Sequence, residues 1–131
     1  MTNLERANLH PMLAELVERE QAERLAVPPQ LTQDALTLVL RNGVVLTVRY
    51  AAQEAYSLRW RTGLGPDAVE LGIDTAPLHP QLASFPNHLH CADGRIVADP
   101  LTRPQATPAD NLRALLQALE VDPLLGALCA H

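Results

Sequence analysis

The chain has 131 residues, is 47% hydrophobic and carries a formal net charge of -5. That length supports one domain with a real core and is too short for two ordinary ones. All of the 10 basic residues are arginine, and the acidic total argues against a general nucleic-acid coating protein while leaving room for a local arginine patch on a phosphate backbone. The longest apolar runs fall short of the roughly 18 residues of a membrane span. Cys91 and Cys129 lie far apart with no Cys-x-x-Cys and no signal-peptide pattern ahead of them. A soluble, cytoplasmic protein with reduced thiols and no membrane contact is therefore expected.

Leu9, Met12, Leu13, Leu16 and Val17 form a helical stripe, with Glu15, Glu18, Arg19, Glu20 and Glu23 around the rest. Pro11 fits a first helical turn, which places the helix start near His10, and Pro28-Pro29 ends the segment. Leu36, Leu38 and Leu40 then alternate up to Asn42-Gly43, a strong hairpin signal, and Val44 to Tyr50 returns. Tyr56, Leu58 and Trp60 alternate against Ser57, Arg59 and Arg61, and after the turn at Gly63 to Pro66 Val69, Leu71 and Ile73 alternate in the same way. This pattern predicts a four-stranded antiparallel meander.

A two-residue turn at Asn42-Gly43 sets Leu40 against Val45 and Leu38 against Thr47. Val45 then faces Trp60, Thr47 faces Leu58, and Trp60 lies beside Val69. Val44, Leu46, Val48 and Tyr50 are thereby sent to the opposite face, together with Arg41, Arg59 and Arg61. Such a half-apolar, half-basic face is a candidate partner or homodimer surface, or a layer covered by the N-terminal helix.

Asp93-Gly94 joins a short strand from His88 to Cys91 with another from Arg95 to Ala98. Thr107 as N-cap, Pro108 at the first helical position and Asp110 in the first turn open a helix carrying Leu112, Leu115, Leu116 and Leu119 on one stripe. Asp122-Pro123 repeats the cap and opens a last short helix through Leu128. The expected fold is α+β: an antiparallel meander sheet of four to six strands packed by an N-terminal helix and a leucine-rich C-terminal helix. Residues 1–131 are read as a single domain, with a helical arm over 1–30 and an α+β core over 31–131.

The segment from Ile73 to His90 holds three of the five histidines and three prolines, just after the fourth strand. His88 and His90, spaced i, i+2 on an extended segment, project from one face, with His79 and Asp74 upstream on the same connection. A pair of imidazoles can serve as general base and general acid while Arg59 or Arg61 holds a phosphate, which suits metal-independent cleavage of RNA without a cofactor. Zinc ligation with Cys91, or with Cys129 and His131, is an alternative, although His-x-His-Cys does not match a common closed zinc site. Surface histidines capping a turn are the plain alternative. Phe85 is expected to pin the loop onto the core, and Asp74 to start a turn by bonding its own backbone.

Ile73-Asp74-Thr75, Ala76-Pro77-Leu78-His79 and Ser84-Phe85-Pro86-Asn87-His88-Leu89-His90, followed by the helix from Thr107, resemble the TumE-like toxin components of bacterial toxin-antitoxin modules. That family carries Tyr-Asp-Asn, Ala-Pro-His-His and Thr-Phe-Pro-x-His-x-His in the same order and spacing. The resemblance spans roughly Leu36 to Leu119, and Asp74, His79, Phe85, His88 and His90 carry over. Ile73, Thr75 and Leu78 replace the family's tyrosine, asparagine and one histidine, so the chain reads as a diverged member. The resemblance implies a growth-inhibiting protein acting on RNA beside a helix-turn-helix antitoxin. A noncatalytic binding module or homodimer, and a zinc-binding protein, are the competing readings.

Overall fold

The computed structural model describes the backbone of residues 3–130 and the side chains of residues 9–130; His131, the candidate zinc ligand, lies outside the described residues. The strands are β1 (Gln30–Leu31), β2 (Leu36–Val39), β3 (Val45–Ala52), β4 (Ala55–Arg61), β5 (Glu70–Asp74), β6 (His88–His90) and β7 (Ile96–Ala98). They form one 7-stranded sheet in sequence order, each neighbour antiparallel. The α+β meander is as expected, but it has more strands than predicted. The short β1 has both residues exposed, so it carries no alternation to read.

Helix α1 (Asn3–Glu20) runs through Pro11 instead of starting near His10. The stripe continues back through the proline, since Leu9 is buried with Leu13, Leu16 and Val17. His10 is also tied to the sheet, its Nε2 accepting the Tyr50 N–H at 3.0 Å, a donor left without a strand partner because β2 pairs with β3 only as far as Val48. These contacts outweigh a proline penalty of about 3 kcal/mol. Met12, expected on the buried stripe, is 47% exposed.

The hairpin register differs from the expected one by a single residue. The β2–β3 loop is Arg41-Asn42-Gly43: Gly43 N–H donates to the Leu40 carbonyl at 3.0 Å and Leu40 N–H donates to the Val44 carbonyl at 2.8 Å. Gly43 has φ of 94°, a conformation in which glycine replaces most residues at no steric cost. The Asn42 amide meanwhile donates to the Leu119 carbonyl at 3.1 Å, docking the loop onto the end of a helix. Leu38 therefore pairs with Leu46 and Leu36 with Val48, while Leu46 pairs with Trp60 and Val48 with Leu58.

One residue of slip exchanges the faces of β3. Val44, Leu46 and Val48 are fully buried and Tyr50 nearly so, so the proposed partner surface is instead part of the core. The β4–β5 register differs from expectation by two residues, pairing Leu58 with Ile73 and Trp60 with Leu71, which leaves their inward direction unchanged.

The buried side chains of the sheet share one cluster with Leu9, Leu13, Leu16 and Val17 of α1 and with Leu112, Leu115, Leu116 and Leu119 of α2 (Pro108–Val121). Thr107 caps α2 as expected, its hydroxyl accepting the Asp110 N–H at 3.1 Å. The two helices are joined by Arg113, which grips both carboxylate oxygens of Glu20 at 2.9 Å. The opposite face of the sheet, bearing Arg49, Arg59 and Arg61, stays exposed.

Beyond α2 the chain forms the short α3 (Gly126–Cys129). It is held by the Trp60 indole N–H on the Pro123 carbonyl at 2.9 Å, by Arg95 on the Cys129 carbonyl, and by a Cys91–Cys129 disulfide. The cysteines are thus paired, contrary to the expectation of free thiols. Their wide separation in sequence hid a contact that packing of the tail makes local. No helix among the described residues is long and apolar enough to cross a membrane.

Two outcomes follow from this packing. Leu46→Ala lowers stability by about 2–5 kcal/mol, read from urea midpoints, because it opens a cavity in a filled core. Burial holds the His10 imidazole below its ordinary value of 6.5. The unfolded chain then binds more protons than the folded one just below pH 6.5, so stability falls as pH drops through that window. His10→Gln flattens this slope in urea titrations between about pH 7 and 5, above the range where carboxylates protonate.

Candidate functional site

Strands β5 and β6 bring the predicted residues together. Asp74 lies directly opposite His88, and Gly72 opposite His90, so the i, i+2 histidines and Asp74 share the helix-free face of the sheet. His88 Nε2 is 3.1 Å from Asp74 Oδ1 and His90 Nε2 is 3.0 Å from Asp74 Oδ2. His79 returns along the 75–87 loop to set its ring edge-on to His88, with centroids 4.8 Å apart; the His88 and His90 rings are 4.7 Å apart. Asp74 also starts the expected turn, its Oδ1 accepting the Ala76 N–H at 3.0 Å. One carboxylate therefore serves both the loop and the histidines.

These four side chains line one cleft of about 590 Å³, whose far wall is Arg49, Ser57 and Arg59. Arg61 lies on the same face outside it. Arg59 and Arg61 share Glu70, at 3.0 and 4.0 Å. A Cβ on Gly72 would meet Arg59 Cγ at 3.3 Å, so the glycine gives the Arg59 side chain room to lie over β5. Arg49 makes no ion pair among the described residues, which makes it the cation most available to an anion in the cleft. The slipped register of β3 turns Arg49 to this face, so a correct hairpin reading was needed to find it.

The imidazoles are not equivalent. His88 is 1% exposed and both ring nitrogens are engaged, Nδ1 with the Pro86 carbonyl at 3.2 Å and Nε2 with Asp74. His90 is partly exposed and His79 half-buried, and among the described residues His79 makes no side-chain hydrogen bond. The rings more exposed at the cleft are thus those of His79 and His90, and His88 sits behind them.

A second polar layer, absent from the sequence reading, holds the Pro86 carbonyl in place. Buried Asn87 donates from Nδ2 to Asp99 Oδ2 and to the Thr102 carbonyl, both at 2.8 Å. The Thr102 hydroxyl donates to Asp99 Oδ2 at 2.5 Å and accepts from the Tyr56 phenol at 2.8 Å. Burial pushes that phenol up to about 12, so it is a neutral donor at ordinary pH. Ser84 closes the layer, donating to the Asn87 carbonyl at 2.5 Å and accepting the Asp99 N–H at 2.8 Å. Phe85, expected to anchor the loop, is 44% exposed; the polar layer does that work instead. The only signal for it was Asn and Asp at positions flanking short strands, which any turn would also show.

An antiparallel sheet with one helix-packed face, and an Asp/His cluster beside arginines on the other, defines an α+β protein with a histidine cleft on its open face. A family model described as toxin TumE matches residues 7–122, and the chain belongs to that family of toxins. No curated protein and no solved structure matches the chain.

Asn87→Ala removes the donor shared by Asp99 and Thr102 inside a buried layer. A loss of about 1–3 kcal/mol in urea unfolding is expected, together with altered histidine ring resonances as the Pro86 carbonyl loses its anchor.

Proposed function

We propose that the chain inhibits growth by cutting RNA in the cleft over the helix-free face of β3 to β6. The observation that carries this reading is the convergence of His79, His90 and Asp74 in one cleft with Arg49 and Arg59 across from them. Arginine is suited to a phosphodiester because its planar donor fork matches two phosphate oxygens. An open, basic sheet face accepts an extended strand, whereas the acidic total charge of -5 keeps attraction local to it.

In this reaction the ribose 2′-oxygen attacks the adjacent phosphorus. A P–O bond forms, the P–O5′ bond breaks, and the products are a 2′,3′-cyclic phosphate and a free 5′-hydroxyl. The proton of the attacking hydroxyl passes to the His90–Asp74 pair, and His79 supplies a proton to the departing 5′-oxygen. Arg49 and Arg59 neutralise the charge that builds on the phosphate. His88 is a positioning residue, holding Asp74 from behind. Membership of a toxin family makes an antitoxin the natural partner, and the helix-turn-helix protein expected from the resemblance is the form we assign it.

His90→Ala and His79→Ala each lower the cleavage rate by about 100- to 10,000-fold and relieve growth inhibition, with unfolding midpoints close to the parent. Arg49→Ala weakens RNA binding and reduces the salt dependence of affinity by about one unit of log–log slope. Undiminished toxicity and cleavage in folded His90→Ala would refute the reading.

A further inference from the structure

We infer that Asp74, His88 and His90 form a binding site for one divalent transition-metal ion. Each offers one ligand atom, a carboxylate oxygen or an imidazole nitrogen, and these atoms all lie within 4.8 Å of one another. Metal–ligand bonds of about 2.0–2.2 Å to imidazole and carboxylate bring adjacent ligand atoms to about 3 Å, so only small side-chain shifts are needed to seat an ion.

The hydrogen bonding around His88 points the same way. The Pro86 carbonyl can only accept, so the His88 Nδ1 facing it at 3.2 Å carries the proton. In the neutral ring this leaves Nε2 as a bare lone pair, and that lone pair faces Asp74 Oδ1 at 3.1 Å. Two acceptors in that position repel unless a proton or a metal ion lies between them. One metal ion answers all three ligand atoms together. An imidazole whose far N–H is held by a backbone carbonyl is also the usual arrangement behind a metal-bound histidine, because that bond fixes tautomer and ring angle.

The polar layer from Tyr56 through Thr102 and Asp99 to Asn87 then supports the carbonyl that supports the ligand. Only three protein atoms are supplied and His90 is partly exposed, so coordination positions remain open to the cleft. Two imidazoles and one carboxylate with open positions suit zinc, iron(II) or manganese better than calcium or magnesium, which prefer all-oxygen sets. The cysteines take no part, being joined to each other. The site differs from the zinc reading of the sequence, which relied on Cys91, Cys129 and His131.

Binding of the ion is independent of the substrate. Its use on a phosphodiester rests on the ribonuclease reading, where it would coordinate the oxygen that otherwise gives its proton to the His90–Asp74 pair.

The test is a zinc titration of the chelator-treated, refolding-free protein in buffer without thiols, followed by calorimetry and repeated with cobalt(II) to read the visible ligand-field bands. The parent protein should bind one equivalent, with bands showing nitrogen ligation and a raised melting temperature. Asp74→Asn and His90→Ala should each weaken binding by about 100-fold or more while their circular dichroism stays that of the parent; the distant His10→Gln should bind like the parent. The inference is overturned if the parent shows no saturable one-to-one binding, or if both site variants, still folded, bind with unchanged affinity. Zinc binding without any RNA cleavage would leave the site standing and remove the ribonuclease reading. Cleavage by a protein that binds no metal would do the reverse.

Discussion

The register of the β2–β3 hairpin is the constraint on which the rest of the molecule depends. Gly43 at φ of 94° closes a three-residue loop, and Leu46 is thereby placed opposite Leu38 on one side and Trp60 on the other. Every second side chain of β3 is then apolar and inward, completing a surface that α1 and α2 can cover. The alternate side chains, Thr47 and Arg49 among them, go to the face with no helix on it. A slip of one residue would bury Arg49 and expose Leu46, Val48 and Tyr50, a rearrangement that costs far more than the loop geometry itself.

Because the two helices take one face, the other is free to carry chemistry. A strand on that face contributes polar side chains without loss of core, since its neighbours in sequence are already buried. Ile73 and Leu89 are buried on the helix side while the adjoining Asp74, His88 and His90 lie on the opposite face of the sheet. The pairing of Asp74 with His88 needs no long-range coincidence. It follows once the 75–87 loop returns the chain antiparallel to β5, and the Asn87–Asp99–Thr102 layer fixes that return. The hydrogen bonds that hold β6 against β7 thus also hold the site.

Much of this was legible in the sequence where one local signal sufficed. Tyr56, Leu58 and Trp60 alternate cleanly, so β4 and its inward face were readable, and the Thr107-Pro108 start with its leucine stripe marked α2. The His88-x-His90 spacing gave the shared direction of two imidazoles. What failed depended on distance or on a single turn. Asn42-Gly43 reads equally as a two-residue turn or as part of a three-residue loop, and only the Asn42 bond to Leu119 and the filled core separate the two. The Cys91–Cys129 pair, the continuation of α1 through Pro11 and the role of Arg49 all rest on partners far away in sequence.

The three departures from the family pattern bear differently on the site. Ile73 points into the core, away from the cleft, so a tyrosine there would be a packing group or would reach through the sheet; its replacement leaves the Asp74 carboxylate untouched. Thr75 does the work of a strand-end clasp, its hydroxyl accepting the Tyr56 N–H at 3.0 Å, and asparagine could make the same bond with its side-chain oxygen. Leu78 is 72% exposed at the cleft rim, where a second histidine would face solvent and the cleft together. The Asp74–His88–His90 cluster is thus complete without any of the three. What the chain gives up at Leu78 is an imidazole on the open side of the cleft, and the apolar side chain left there changes what the rim touches without altering the cluster beneath it.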